Sequence, residues 1–160
     1  MARYYVAYLR ALNAAGVRPD LIEPVYEPNL KKKFNPADYA EFTKDLEADL
    51  GAQPSSSTSG VYLAGPGTAA RVRAGLRFVE AMEARGALSS LKAITVHAYY
   101  VRDHPVNAGI PPADDPAFRS LAATATGLGI PFIATEFGGT DLKTRKSDHG
   151  RESVNSAEEM

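Results

Sequence analysis

Apolar residues recur at helical spacing in four stretches of the chain, and four short apolar runs alternate with them. Tyr5, Val6, Leu9 and Leu12 mark one face of a first helix over 3–15, which Gly16 stops. Leu21 to Tyr26 reads as a short buried strand that ends at Pro28. Asn35 caps a second helix with Pro36 at its first position, and Tyr39, Phe42, Leu46 and Leu50 give its buried face up to Gly51. A second strand over 61–64 turns at Gly65-Pro66-Gly67 into a helix from about 69 to 86. Val72, Leu76, Val79 and Met82 share one face of that helix. A third strand covers 93–99, a Pro- and Asp-rich loop covers 101–114, and a fourth helix lies near 116–128. Pro131 to Thr135 is the fourth strand, whose apolar run predicts burial on both faces.

Strand and helix thus alternate four times, which predicts a parallel sheet with helical crossovers. The fold class is α/β, about four parallel βα units of a partial (β/α)8 barrel. The units occupy 1–140. A polar segment over 141–160 follows, ending in Ser156-Ala157-Glu158-Glu159, the capped start of a helix. The 160 residues fall well below the roughly 250 of a complete eight-stranded barrel.

Composition narrows the chemistry. A net charge of -1 leaves no electrostatic footprint for nucleic acid, and Lys31-Lys32-Lys33 reads as a solvated loop. With no cysteine, disulfides, thiolate metal sites and a cysteine nucleophile are excluded. No apolar run approaches the ~20 residues that span a bilayer. His104 and His149 sit beside aspartates in polar loops without zinc-like spacing, so neither metal nor cofactor is expected. The sequence does not fix the compartment.

In parallel barrels, functional groups gather at the C-terminal ends of the strands. Here those ends carry Glu27-Pro28-Asn29, Gly65-Pro66, His97-Ala98-Tyr99 and Glu136. Two acids on different strands of one barrel point to a shared mouth, and glycoside hydrolysis needs such a pair. Each residue also has a plainer reading taken singly. A strand-end glutamate often caps a helix or pairs with a cation, a histidine on an apolar strand is often part of the core, Tyr99 suits strand packing and Asn29 a turn.

Taken in order, Glu-Pro-Asn after one strand, Ala-Gly-Pro after the next, a His-x-Tyr strand and then Thr-Glu-Phe resemble clan A glycoside hydrolases, most closely family 39-like members. The resemblance covers about 20–140 and corresponds to barrel strands four to seven. It implies a retaining, two-glutamate double displacement on O-glycosidic bonds of an oligo- or polysaccharide, with Glu27 as acid/base and Glu136 as nucleophile. Asn29, His97, Tyr99 and Tyr26 are the candidate sugar-binding residues; His97 and Tyr99, two apart on one strand, face the same side, and if that side is the barrel mouth Tyr99 reaches Glu136 and His97 a sugar hydroxyl. One departure is Tyr26, since the family carries Asn before the acid/base glutamate, where it holds the sugar 2-hydroxyl. The other is extent: strands one to three and eight are not present, so the chain reads as a fragment that is inactive alone and needs the missing barrel half or self-association. Two further readings stand beside this one. The first is a degenerate barrel that binds carbohydrate without cleaving it. The second is a flavodoxin-like sheet, whose strand order would reverse at a switch point.

Overall fold

A computed structural model of the chain describes residues 2–30, 34–53, 60–68, 72–101 and 115–140; at 98–101 and 137–140 it describes the backbone alone. The 141–160 segment, the lysine run, His104 and His149 lie outside the described residues. The observed order is α1 (Ala2–Ala14), β1 (Leu21–Ile22), α2 (Pro36–Gly51), β2 (Tyr62–Pro66), α3 (Val72–Ala84), a 3-10 turn Leu88–Ser90, β3 (Leu91–Val101), α4 (Pro116–Leu128) and β4 (Phe132–Thr140). The helix starts are sealed by side chains. Asn35 accepts from the Asp38 amide at 2.8 Å, Asp115 accepts from the Ala117 amide at 2.8 Å, and each is followed by proline. Gly129 closes α4 at φ 67, a left-handed position that suits glycine.

The four strands pair in parallel in the order β1-β2-β3-β4. No reversal occurs among them, which removes the switch-point arrangement from the described sheet. Crossovers that always advance in one direction put their helices on one face. The helices accordingly pack in the same sequence, α1 on α2, α2 on α3 and α3 on α4. The result is an open sheet of partial (β/α)-barrel type, with no closure among the described strands.

Between helices and sheet lies one core. Tyr39, Phe42 and Leu46 of α2, Phe78, Val79 and Met82 of α3, Leu121 of α4, and Leu63, Ile94 and Val96 of the sheet form it. Two strands depart from their sequence pattern. β1 holds only Leu21–Ile22, because Pro24 has no amide to donate to a ladder. β4 is longer than expected but less covered: Phe132 and Ile133 are half-buried, while Ala134 and Thr135 are exposed. As an edge strand of an open sheet it has helices on one face only, so its apolar run does not report burial on both.

Candidate active site: a buried histidine among three glutamates

Ile94 and Val96 of β3 point into the helical core, and Val96 lies against Gly75 of α3. Strand alternation therefore turns Thr95 and His97 to the opposite face. His97 is only 2% exposed there. Its Nδ1 lies 3.1 Å from Glu27 Oε1 and 3.5 Å from Glu136 Oε2, and its Nε2 lies 3.8 Å from Glu23 Oε1. The first distance is a hydrogen bond; the last is too long for one. Three carboxyl groups thus surround one imidazole.

Local backbone irregularities make that convergence possible. The β3–β4 register slips between Val96 and His97: Val96 pairs with Ala134, but His97 pairs with Glu136. Thr135 is the extra residue of this bulge. Neighbours on a regular strand face opposite ways, yet Thr135 Oγ1 donates to Glu23 Oε2 at 3.3 Å while Glu136 reaches His97. The bulge lets both serve the same face. Glu27 is buried at φ 47, the sole non-glycine residue with positive φ among the described residues. Such a conformation persists only where surrounding contacts enforce it, and such positions cluster at functional sites.

Glu23 is the member that sequence reasoning missed. Its carboxyl accepts from the Thr95 hydroxyl, which itself accepts the Gly67 amide at 3.0 Å. Gly67 has φ 39, and a Cβ there would run into the Glu23 carboxyl, so the position requires glycine twice over. Burial raises the Glu23 pKa above the ordinary glutamate value. His97 and the Thr95 and Thr135 hydrogen bonds oppose that rise, and the Glu136 charge adds to it.

The sign of the linkage follows. A raised carboxyl pKa means that the folded state holds the proton more tightly than the unfolded chain. The stabilising contribution is therefore present below the unfolded value and is lost as pH rises through the folded one. Glu23→Gln keeps the shape and removes the titration. The variant is expected to gain stability relative to wild type as pH rises across the carboxyl range, read from urea unfolding at acidic and neutral pH. A difference that stays constant with pH would contradict a raised Glu23 pKa.

The remaining expected residues fall as follows. Tyr26 is 58% exposed, and its ring stands 5.4 Å from His97 at an interplanar angle of 46°. Its phenol hydrogen-bonds Glu136, the contact that strand alternation had led one to expect from Tyr99. The side-chain length that prevents Tyr26 from imitating an asparagine carries its hydroxyl across to the next carboxyl. Lost hydration, the charges of Glu27 and Glu136 and this hydrogen bond together raise the Tyr26 pKa. Tyr99 pairs through its backbone with Gly138, and its side chain lies outside those described. Asn29 is half-buried just beyond Glu27.

One oxygen each of Glu27 and Glu136 and one nitrogen of His97 lie within 4.8 Å of one another. These are donor types that hold divalent cations. Here, however, Nδ1 is engaged with Glu27, so a cation would have to break that hydrogen bond. No helix among the described residues is long and apolar enough to cross a membrane. Comparison with protein-family profiles finds none that matches the chain, and comparison with curated protein sequences finds no match either.

Proposed function

We propose that the chain carries the acid/base and nucleophile of a retaining glycoside hydrolase acting on O-glycosidic bonds of an oligo- or polysaccharide. One observation supports this above the others: carboxylate oxygens of Glu27 and Glu136 lie within 4.8 Å of each other, both beside Nδ1 of the buried imidazole. Retaining enzymes hold their two carboxyl groups about 5–5.5 Å apart, and inverting ones about 6.5–9.5 Å, leaving room for water.

In this reading Glu136 attacks the anomeric carbon while Glu27 gives its proton to the departing oxygen, forming a glycosyl ester on Glu136. Glu27, now a carboxylate, takes a proton from water; that water displaces the ester and both groups are restored. Tyr26 orients Glu136 through its phenol. His97 serves Glu27 directly, so its sugar contact gives way to a role within the protein. Asn29 and Tyr99 keep their proposed places at the sugar. No described strand pairs with the outer edge of β4, and that edge suits a further strand from the rest of a barrel or from a second copy.

The test is stereochemical. Proton NMR during hydrolysis of an aryl glycoside by the protein that carries this chain should show the first-formed sugar with the anomeric configuration of the substrate. Inversion would overturn the proposal. The second reading, carbohydrate binding without cleavage, is favoured by Tyr26, whose phenol draws on Glu136 where the family has a sugar-binding asparagine. Saturable sugar binding without turnover, with both glutamates intact, would establish it in place of the first.

A further inference from the structure

We propose that Glu23 and Thr135 form a latch across the sheet that holds the β4 bulge in place, and that both are positioning residues for Glu136. The nucleophile role of Glu136 rests on the function proposed above; the latch does not.

Register decides which way Glu136 faces. Paired residues of a parallel ladder share a face, and a slip of one residue sends every later side chain to the other. Val96 pairs with Ala134, so an unbroken ladder would go on to pair His97 with Thr135 and Ala98 with Glu136. Ala98 alternates with His97 and lies on the side of Val96, toward the helices. Glu136 would then point away from the imidazole. The observed pairs run instead from His97 with Glu136 to Val101 with Thr140, one residue further along β4. A regular ladder would make the same kind of backbone bonds and leave no residue unpaired, so the backbone gives no reason for the bulge. Side chains must supply it.

The Glu23 carboxyl is placed to do so. It sits just beyond β1, yet Gly67 after β2 lies against it, Thr95 of β3 donates to it, and Thr135 of β4 donates to its Oε2 at 3.3 Å. β1 and β4 are the outer strands of the sheet, so this last bond crosses its whole face. Thr95 is one inward-facing position before His97 on β3. Sharing a carboxyl with Thr95 therefore keeps the Thr135 hydroxyl short of the His97 level, and that level is left to Glu136. Tyr26 and His97 meet Glu136 at its carboxyl, whereas Glu23 holds the residue before it, where the register changes.

Thr135→Val removes the hydroxyl and keeps the shape, while Thr135→Ser keeps the hydroxyl. Thr135 is exposed, so neither change touches the core. In crystal structures of the protein that carries this chain, Thr135→Val is expected to lose the bulge, pair position 135 with His97 and turn Glu136 away from the imidazole. Thr135→Ser should keep the wild-type register. Glu23→Met, similar in length but without an acceptor, should lose the bulge as Thr135→Val does. A bulge retained in Thr135→Val or in Glu23→Met, or lost in Thr135→Ser, overturns the latch.

Turnover is a separate reading. A misplacement of about 1 Å can cost on the order of 10²-fold, so Thr135→Val should lower kcat at least about tenfold with KM little changed. Thr135→Ser should restore it. Wild-type kcat in Thr135→Val overturns the positioning role, and so does a loss that Thr135→Ser fails to reverse. Loss of the bulge in Thr135→Val, together with absence of wild-type turnover, would count against the hydrolase reading alone.

Discussion

Glu136→Gln is expected to reduce turnover of every glycoside by at least about 10⁴-fold, whereas Glu27→Gln should spare the glycosylation step, read as kcat/KM, for substrates whose leaving group departs without a proton. The contrast follows from the two proposed roles. Without the Glu136 carboxylate no covalent bond to the anomeric carbon forms, whatever the leaving group. Without the Glu27 proton, departure of an alkoxide is slowed by about 10²–10⁴-fold, but a nitrophenolate leaves as a stable anion. Glu27→Gln should therefore accumulate the glycosyl ester on Glu136, because the base that activates water is also missing. Values of kcat/KM with a nitrophenyl and an alkyl glycoside, together with intact mass after quenching, separate the cases. Equal losses on both substrates in the two variants would undo the assignment of roles.

Tyr39→Ala is expected to cost about 3–5 kcal/mol, as for other large aromatic truncations in a core. Tyr39 is fully buried, with its ring edge-on to Phe34 at 6.1 Å and to Phe78 at 5.4 Å. Its hydroxyl end abuts Gly65 of β2, where a Cβ would collide with it. Burial, then the nearby Glu23 charge, hold the phenol neutral well above its usual range. One side chain thus joins α2, α3, the Phe34 segment and the sheet behind the site. Against a total stability of about 5–15 kcal/mol, the loss removes a large share of what holds the fold. Urea titration should show the midpoint fall with its slope kept, while Tyr62→Ala, half-exposed on β2, changes little. A Tyr39→Ala midpoint near wild type would mean that this junction is not central. Running the titrations at two protein concentrations also reads whether copies associate.

The helices were legible because their signals are local. Asn35-Pro36 and Asp115-Pro116 carry cap and first turn side by side, and the apolar period of α2 and α3 names the residues that pack. Glu27, His97 and Glu136 were legible as a set through their order after strands, and the fold brings them together. Glu23 was not, because the Leu21–Tyr26 run reads as strand interior, where a glutamate suggests only an exposed position. Pro24 was the available signal: a proline there breaks the ladder and frees the preceding residue to turn inward. The bulge at Thr135 left no trace in the sequence. Register is fixed between strands, and no pattern within β4 reveals that two consecutive residues will share a face. The partner of Tyr26 was hidden for a related reason, since its reach to Glu136 is set by the distance to β4, which lies about a hundred residues away in the chain.

The sequential order of the strands has a consequence for biosynthesis. Each strand pairs with the one made just before it, so the sheet can grow in the order in which the ribosome releases it. Glu23 and Glu27 emerge first, and His97 can meet them as soon as β3 docks. Glu136 arrives last, on the strand that completes the described sheet. A nascent chain can thus hold a folded core and a seated histidine while still lacking its fourth strand. On the proposed assignment, the nucleophile is the last of these four groups to be delivered, and the cluster is complete only once β4 has paired with β3.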